Sequence, residues 1–112
     1  MRFTALWEFY VKPARISAFE EIYGPDGTWA ELFRTSPDYL GTELIRDLDR
    51  PGRYLTLDHW TSYEALRRFK QDHHAEYAAF DKQCESLTEK EVCLGNFEQV
   101  GIPIERLKSL RP

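Results

Sequence analysis

The sequence predicts an α+β domain in which four strands form one antiparallel sheet. Three observations support this prediction. Four segments have the alternation or apolar content of strands, two stretches have interrupted helical spacing, and strong turn signals separate them. The order β, α, β, β, α, β is the split βαβ pattern of ferredoxin-like domains. We therefore expect the helices to cover one face of the sheet and to leave the other face bare.

The first strand is predicted over residues 2–12, where apolar and polar residues alternate. One face of this strand is entirely apolar. The other face still contains Leu6 and Tyr10, although a face in contact with water is normally more polar. We therefore expect helices on one side of the sheet and a partner subunit on the other.

The segment after this strand predicts two short helices. Pro13 suits a first helical position because its missing N–H would be unpaired there. Apolar residues then recur at helical spacing up to Tyr23, and a turn follows over residues 23–27. Thr28 and Glu31 have the spacing of a capping box, which predicts a second helix through Phe33.

The second half of the chain predicts a hairpin, a broken helix and a last strand. The hairpin strands span residues 40–49 and 53–60, joined by a turn that contains Pro51 and Gly52. Thr61 and Glu64 repeat the capping-box spacing, and the helical periodicity that follows breaks near Asp72. The last strand covers about residues 89–99. We assign residues 1–100 to one domain and residues 101–112 to a C-terminal tail.

The composition limits the partners that we expect. The 112 residues include 14% aromatic residues, which must fill a core, a pocket or a partner surface. The net charge of −4 and the absence of a basic stripe exclude nucleic acid as a partner. No window reaches the roughly 18 apolar residues of a membrane span, so we expect no membrane association. Cys84 and Cys93 do not make a disulfide framework, which favours a reduced, cytoplasmic protein.

Three segments carry a resemblance to a known family: Val11-Lys12-Pro13, Arg53-Tyr54-Leu55-Thr56-Leu57 and Trp60-Thr61-Ser62. With them, residues 3–98 resemble the antibiotic biosynthesis monooxygenase (ABM) domain family of the dimeric α/β-barrel superfamily. The resemblance implies a homodimer whose sheets pack face to face, and a cavity in each subunit between its sheet and its helices. It also implies a monooxygenase that oxidises a small aromatic metabolite, phenolic or quinol-type, with O2 and without a cofactor.

Other activities of the same superfamily remain as alternatives. A non-catalytic ligand-binding or structural dimer, an isomerase and a mutarotase would share this fold. The resemblance excludes the haem-degrading branch, because Trp7 and Phe69 replace its characteristic residues and the position of the haem ligand falls near Ala79.

Two histidines are the candidate catalytic bases. His73 is in phase with Tyr77 on the apolar face of the last helix, where a neutral imidazole could act as a base; the alternative is a hydrogen-bonded residue near a helix end. His59 and Trp60 point to opposite faces of their strand, and one of them must face the helices. An outward His59 would be an interface or surface residue. The enzyme hypothesis requires a cavity of roughly a few hundred Å³ with a histidine on its wall.

The ligand-binding candidates are Trp29, Trp60 and Tyr77, with Tyr23 and Asp26 at the hinge of a lid that carries Trp29. The alternative is a rigid turn with Trp29 as its anchor. We expect no metal site, because the adjacent His73 and His74 point about 100° apart on a helix.

Overall fold

The computed structural model describes residues 2–105, and it confirms the predicted ferredoxin-like α+β fold. Two 3₁₀ turns, at Pro13–Arg15 and Glu85–Leu87, connect the main elements. The strands and helices are β1 (Phe3–Val11), α1 (Ile16–Tyr23), α2 (Thr28–Phe33), β2 (Tyr39–Arg46), β3 (Arg53–Trp60), α3 (Tyr63–Asp72), α4 (His74–Cys84) and β4 (Thr88–Glu98). All neighbouring strands are antiparallel, in the order β2-β3-β1-β4. Residues 106–112 of the predicted tail lie outside the described residues.

The register of β1 against β3 defines the two faces of the sheet. Phe9 lies opposite Tyr54 and Phe3 lies opposite Trp60, and all four side chains are buried beneath the helices. Residues that pair across two strands share a face, so the alternation places Leu6 and its partner Leu57 on the opposite side. We call the side beneath the helices the inner face and the other side the outer face.

Aromatic rings make up much of the core between the inner face and the helices. Trp60 is fully buried, and its ring centroid lies 5.5 Å from that of Phe33 and 5.4 Å from that of Phe69. Burial of a large apolar side chain contributes roughly 1.5–3 kcal/mol. Core packing therefore explains much of the aromatic content of the sequence.

The helix α3 begins one residue later than the capping box predicts. The Ser62 hydroxyl oxygen accepts a 3.1 Å hydrogen bond from the Ala65 N–H, which makes Ser62 the N-cap. Thr61 has another role, because its hydroxyl donates to the Asp38 carboxylate at 3.1 Å and its N–H donates to the Asp38 carbonyl. Thr61 thereby ties the end of β3 to the start of β2.

The turn before α2 is tightly packed. A Cβ on Gly27 would lie 2.4 Å from the carbonyl oxygens of both Glu21 and Ile22. The Gly27 N–H also donates to the Gly24 carbonyl at 2.9 Å. Glycine is therefore needed at position 27 for close backbone approach, which favours the rigid-turn alternative over a flexible hinge.

The outer face carries several apolar side chains that no described helix covers. Leu6, Leu55 and Leu57 are half-buried, whereas Ile45 and Phe97 are about half exposed. Within residues 2–105, no helix has the length and apolar character that a bilayer crossing requires.

Candidate functional site

A pocket opens between the inner face of the sheet and helices α1, α2 and α4. Its cavity volume is about 40 Å³, enough for a few water molecules. With its open mouth, the cleft contains about 410 Å³ of empty space. The lining residues are Trp7, Phe9, Tyr23, Trp29, Phe33, Thr42, Thr56, Asp58, Tyr77, Asp81 and Glu91.

Trp29 forms the centre of the aromatic wall. Its ring centroid lies 5.0 Å from that of Tyr77 and 4.6 Å from that of Phe80, so α2 and α4 meet through this side chain. Trp29 is only 8% exposed, and its indole N–H makes no hydrogen bond of normal geometry within residues 2–105, while the Tyr23 hydroxyl and the Cys84 thiol lie close to it. A buried donor without an acceptor has lost its water without replacement. A ligand carbonyl or hydroxyl within reach could supply the acceptor.

Asp58 supplies a carboxylate from β3, on the inner face. Thr42 of β2 donates a 2.6 Å hydrogen bond from its hydroxyl to Oδ1 of Asp58. Because that hydroxyl has a single proton, the Tyr39 hydroxyl must donate to Thr42 across their 2.6 Å contact. The three side chains therefore form a chain of hydrogen bonds that ends on the carboxylate.

Burial changes the acidity of Asp58. Loss of hydration raises its pKa to about 6, although the Thr42 hydrogen bond, His59 and Lys70 act in the opposite direction. The carboxylate is therefore predominantly ionised above pH 7 and gains a proton more easily than an exposed aspartate. Such a group can act as a general base near neutral pH.

Two further carboxylates, Asp81 of α4 and Glu91 of β4, line the same pocket. Burial raises the pKa of Glu91, and the negative charges of Asp81 and Glu85 raise it further. Burial also raises the phenol pKa values of Tyr23 and Tyr77, so both hydroxyls stay neutral across the physiological range.

His59 lies on the outer face, away from the pocket. One ring nitrogen, Nδ1, is 2.7 Å from the Thr4 hydroxyl, and Nε2 is 2.7 Å from a Glu43 carboxylate oxygen. Trp60 accordingly takes the inward position that the strand alternation left open. For His59 the outward alternative holds, and the proposed cavity role loses its geometric basis.

His73 also lies outside the pocket, because the helix breaks at this residue. Its backbone angles, φ −115° and ψ 29°, are not helical, and its N–H donates to the Phe69 carbonyl at 2.9 Å to end α3. The ring stacks on Phe69, with centroids 4.5 Å apart, and Nδ1 lies 3.3 Å from Glu76. Tyr77 lines the pocket and His73 does not, so the expected apolar face that would carry both residues towards the pocket is not formed.

The structure brings three of the predicted ligand-binding residues together: Tyr23, Trp29 and Tyr77 all line the pocket. Trp60 is packed in the core and is not part of the lining. Asp26 is exposed and pairs with Arg34 at 3.0 Å on the surface.

The sequence interpretation missed Asp58, Asp81 and Glu91 as pocket residues. A signal for Asp58 exists, because it alternates with Thr56 and Trp60 on the buried face of β3. An ionisable residue at a core-facing position is uncommon and indicates a functional role. Asp81 and Glu91 have no comparable signal, since charged residues are ordinary on a surface helix and an edge strand.

In the described part of the chain, no group of three or more His, Cys, Asp or Glu side chains is arranged to hold a metal ion.

Comparisons with solved structures show that the fold is shared with known proteins. SnoaB from Streptomyces nogalater, a cofactor-independent oxygenase crystallised as a mutant, superposes with a TM-score of 0.74 at 21% identity over 90% of this chain and 95% of that chain. PA3566 from Pseudomonas aeruginosa superposes with a TM-score of 0.63 at 16% identity, covering 89% and 95% of the two chains. A conserved protein from Methanosarcina mazei Go1 superposes with a TM-score of 0.61 at 14% identity, covering 89% of this chain and 94% of that chain. At these identities the likeness shows the fold alone.

The curated proteins give no match to this chain. The family comparison is more specific, because the model of the antibiotic biosynthesis monooxygenase family matches residues 2–81, which includes β1 to β3 and most of the pocket. The chain belongs to the antibiotic biosynthesis monooxygenase (ABM) family.

Proposed function

We propose that the protein is a cofactor-independent monooxygenase that oxidises a small phenolic or quinol-type metabolite in this pocket. No histidine of the described residues lines the pocket, so the requirement for a histidine on its wall is not met. Asp58 takes the place of the histidine base in this proposal, and its position carries the proposal. It is a carboxylate with a raised pKa, oriented by Thr42 and surrounded by aromatic side chains. The likeness to the fold of SnoaB supports the same class of reaction.

The proposed reaction needs a base, O2 and a substrate that supplies the electrons. Asp58 removes the phenolic proton, and the electron-rich phenolate then transfers electrons to O2. In a phenolic substrate of the anthrone type, the ring CH2 group beside the phenol ring becomes C=O. One oxygen atom of O2 enters the product, and the other leaves as water with the two hydrogens of that CH2 group. Asp58 returns its proton during this last step, so the carboxylate is regenerated.

The aromatic wall positions the substrate in this proposal. Trp29 and Tyr77 contact the ring, and Tyr23 lies at the α1 side of the pocket. Trp60 acts as a positioning residue, because it packs against Tyr39 with ring centroids 5.3 Å apart and thereby supports the hydrogen-bond chain to Asp58. Asp26 has no contact with the pocket and no role in this proposal.

The cavity volume of about 40 Å³ does not reach the few hundred Å³ that the sequence hypothesis requires, and it is far below the roughly 300–1,000 Å³ of typical ligand sites. Substrate entry therefore requires the pocket to widen. Of the helices α1 to α4, α4 has the fewest buried residues. Cys84 is its buried residue, while Tyr77 and Phe80 are partly buried against the core. We therefore assign the opening movement to α4 rather than to the packed turn before α2.

The outer face supports a homodimer. Its apolar side chains, including Leu57 and Ile45, need cover from water, and a second copy of the sheet supplies a matching surface. Two ion pairs lie beside this apolar surface, in which Arg53 contacts Glu8 at 2.7 Å and Asp47 at 3.0 Å.

Oxygen consumption with a panel of anthrone- and quinol-type substrates tests the function. Wild-type protein is expected to consume O2 with at least one of them, and Asp58→Asn is expected to reduce the rate at least about a hundredfold, the lower range for loss of a general base. Asp49→Asn, an exposed aspartate in the β2–β3 turn, is the matched control and is expected to leave the rate unchanged. An equal rate in wild type and Asp58→Asn would overturn the assignment of the base.

A further inference from the structure

The charges around the pocket point to a property of its ligand. We propose that the pocket selects a small aromatic compound that carries a protonated amine, with the ammonium group held by carboxylates and aromatic faces. The inference rests on the proposed function only in taking this pocket as the ligand site, and it holds whether or not the ligand is oxidised.

The carboxylates approach the pocket from three separate elements. Asp58 comes from β3 on the sheet, Asp81 from α4 above it and Glu91 from β4 at the sheet edge. None of the residues that the described structure places in the lining is a lysine, arginine or histidine. Each carboxylate attracts a cation and repels an anion, and both effects are stronger at the partly buried Asp58 and Asp81 than at the exposed Glu91. An anionic ligand is therefore disfavoured throughout the pocket.

The aromatic wall favours the same charge. Trp7, Trp29 and Tyr77 line the pocket, and the faces of such rings attract ammonium groups. Lys70, which is outside the lining, shows this behaviour, since its Nζ lies 5.3 Å from the centroid of the Tyr77 ring. Aromatic faces together with carboxylates are the combination that proteins use to bind organic cations.

Lys70 and His59 are the basic side chains to be weighed against this proposal, because both act on Asp58. His59 lies on the outer face, where its Nε2 is 2.7 Å from a Glu43 carboxylate oxygen, and Lys70 alone leaves two of the three carboxylate charges unbalanced. A ligand ammonium would offset the remaining charge. It would also stabilise the ionised form of Asp58, so a ligand of this type would favour the state of the base that the reaction needs.

Three compounds with the same phenol ring and different side-chain charges test the proposal. These are tyramine (cationic), 4-ethylphenol (neutral) and 4-hydroxyphenylacetate (anionic), titrated into the full chain by isothermal calorimetry at pH 7.5. We expect tyramine to bind about tenfold more tightly than 4-ethylphenol, because of its charge-assisted and cation–π contacts, and 4-hydroxyphenylacetate to bind most weakly. The variants Asp81→Asn and Glu91→Gln are each expected to weaken tyramine binding about threefold and to leave 4-ethylphenol unchanged.

Glu89→Gln is the matched control, since Glu89 is an exposed acid of the same strand outside the pocket lining. It is expected to leave all three affinities unchanged. Equal or tighter binding of 4-ethylphenol, or no binding of any of the three compounds, would overturn the proposal. Oxygen uptake recorded in parallel with the anthrone and quinol panel separates the two ideas. Cation preference without oxygen uptake refutes the oxygenase alone, and oxygen uptake without cation preference refutes this inference alone.

Discussion

The Thr42 hydroxyl donates a 2.6 Å hydrogen bond to Asp58 with its only hydrogen, and it therefore accepts a hydrogen bond from the Tyr39 hydroxyl. This arrangement is directional, because each hydroxyl in the chain has one hydrogen to give. The carboxylate is thereby stabilised in its ionised form at a position where burial favours the neutral acid. In the proposed reaction, the strength of Asp58 as a base depends on the balance of these two effects.

Removal of the Thr42 hydroxyl tests that balance. Thr42→Val keeps the shape of the side chain and deletes the hydrogen bond that lowers the pKa of Asp58. A hydrogen bond to a charged group contributes about 1.5–3 kcal/mol, so the ascending limb of the pH–rate profile is expected to move about one to two units upward. Thr61→Val, which loses a hydrogen bond on the surface, should leave the profile in place. Coinciding profiles for Thr42→Val and wild type would contradict the role of this bond.

Asp58→Asn is expected to stabilise the fold at neutral pH while it removes activity. The folded pKa of about 6 exceeds the roughly 3.9 of an unfolded aspartate. The wild-type fold therefore loses stability as the pH rises from about 4 to about 6, and the full penalty remains at higher pH. In denaturant unfolding, the free energy of unfolding of the variant should exceed that of wild type by on the order of 2–3 kcal/mol at pH 7.5 and by little at pH 4. A gain of the same size at both pH values would refute this explanation.

Single replacement of His59 or His73 by alanine is expected to leave oxygen uptake within about twofold of wild type, because neither ring reaches the pocket. The measurement is the rate of oxygen uptake of each variant and of wild type, at several pH values across the ascending limb of the pH–rate profile. A large loss in His73→Ala that imidazole in solution restores would return this residue to the catalytic set.

Gly27→Ala is expected to destabilise the protein by about 1–3 kcal/mol, the usual range for overpacking. The added methyl group would meet two backbone carbonyl oxygens at 2.4 Å, and neither can move without disturbing α1. Gly24→Ala should cost less, because its Cβ would meet one carbonyl oxygen at 2.8 Å. Thermal unfolding of both variants measures which one loses more stability. A larger loss in Gly24→Ala would show that the turn is looser than its geometry indicates.

Leu57→Glu is expected to convert the protein from a dimer to a monomer, since it places a charge in the middle of the outer face. Sedimentation equilibrium at micromolar concentration should give twice 13.2 kDa for wild type and 13.2 kDa for the variant. Leu48→Glu changes an exposed leucine in the β2–β3 turn and should remain dimeric. A wild-type mass of one chain would contradict the homodimer proposal.

The sequence was informative wherever one physical rule dominated. Alternation in β1 predicted which side chains are buried, and the break near Asp72 followed from lost periodicity. The position of the His73 ring could not be predicted from the same periodicity, because His73 is itself the non-helical residue at the break. Asp81 and Glu91 were hidden for another reason: their joint position depends on how α4 lies over the sheet, and that is a tertiary property.

The weak attachment of α4 has an evolutionary consequence. This helix supplies Tyr77 and Asp81 to the pocket, while most of the buried core belongs to β1, β3 and the other helices. Substitutions on its pocket side can alter ligand preference with little cost to folding, since few of its side chains are needed for stability. Specificity can therefore diverge within this lineage faster than its architecture, and α4 is the segment in which an engineer would first randomise residues to obtain a new substrate.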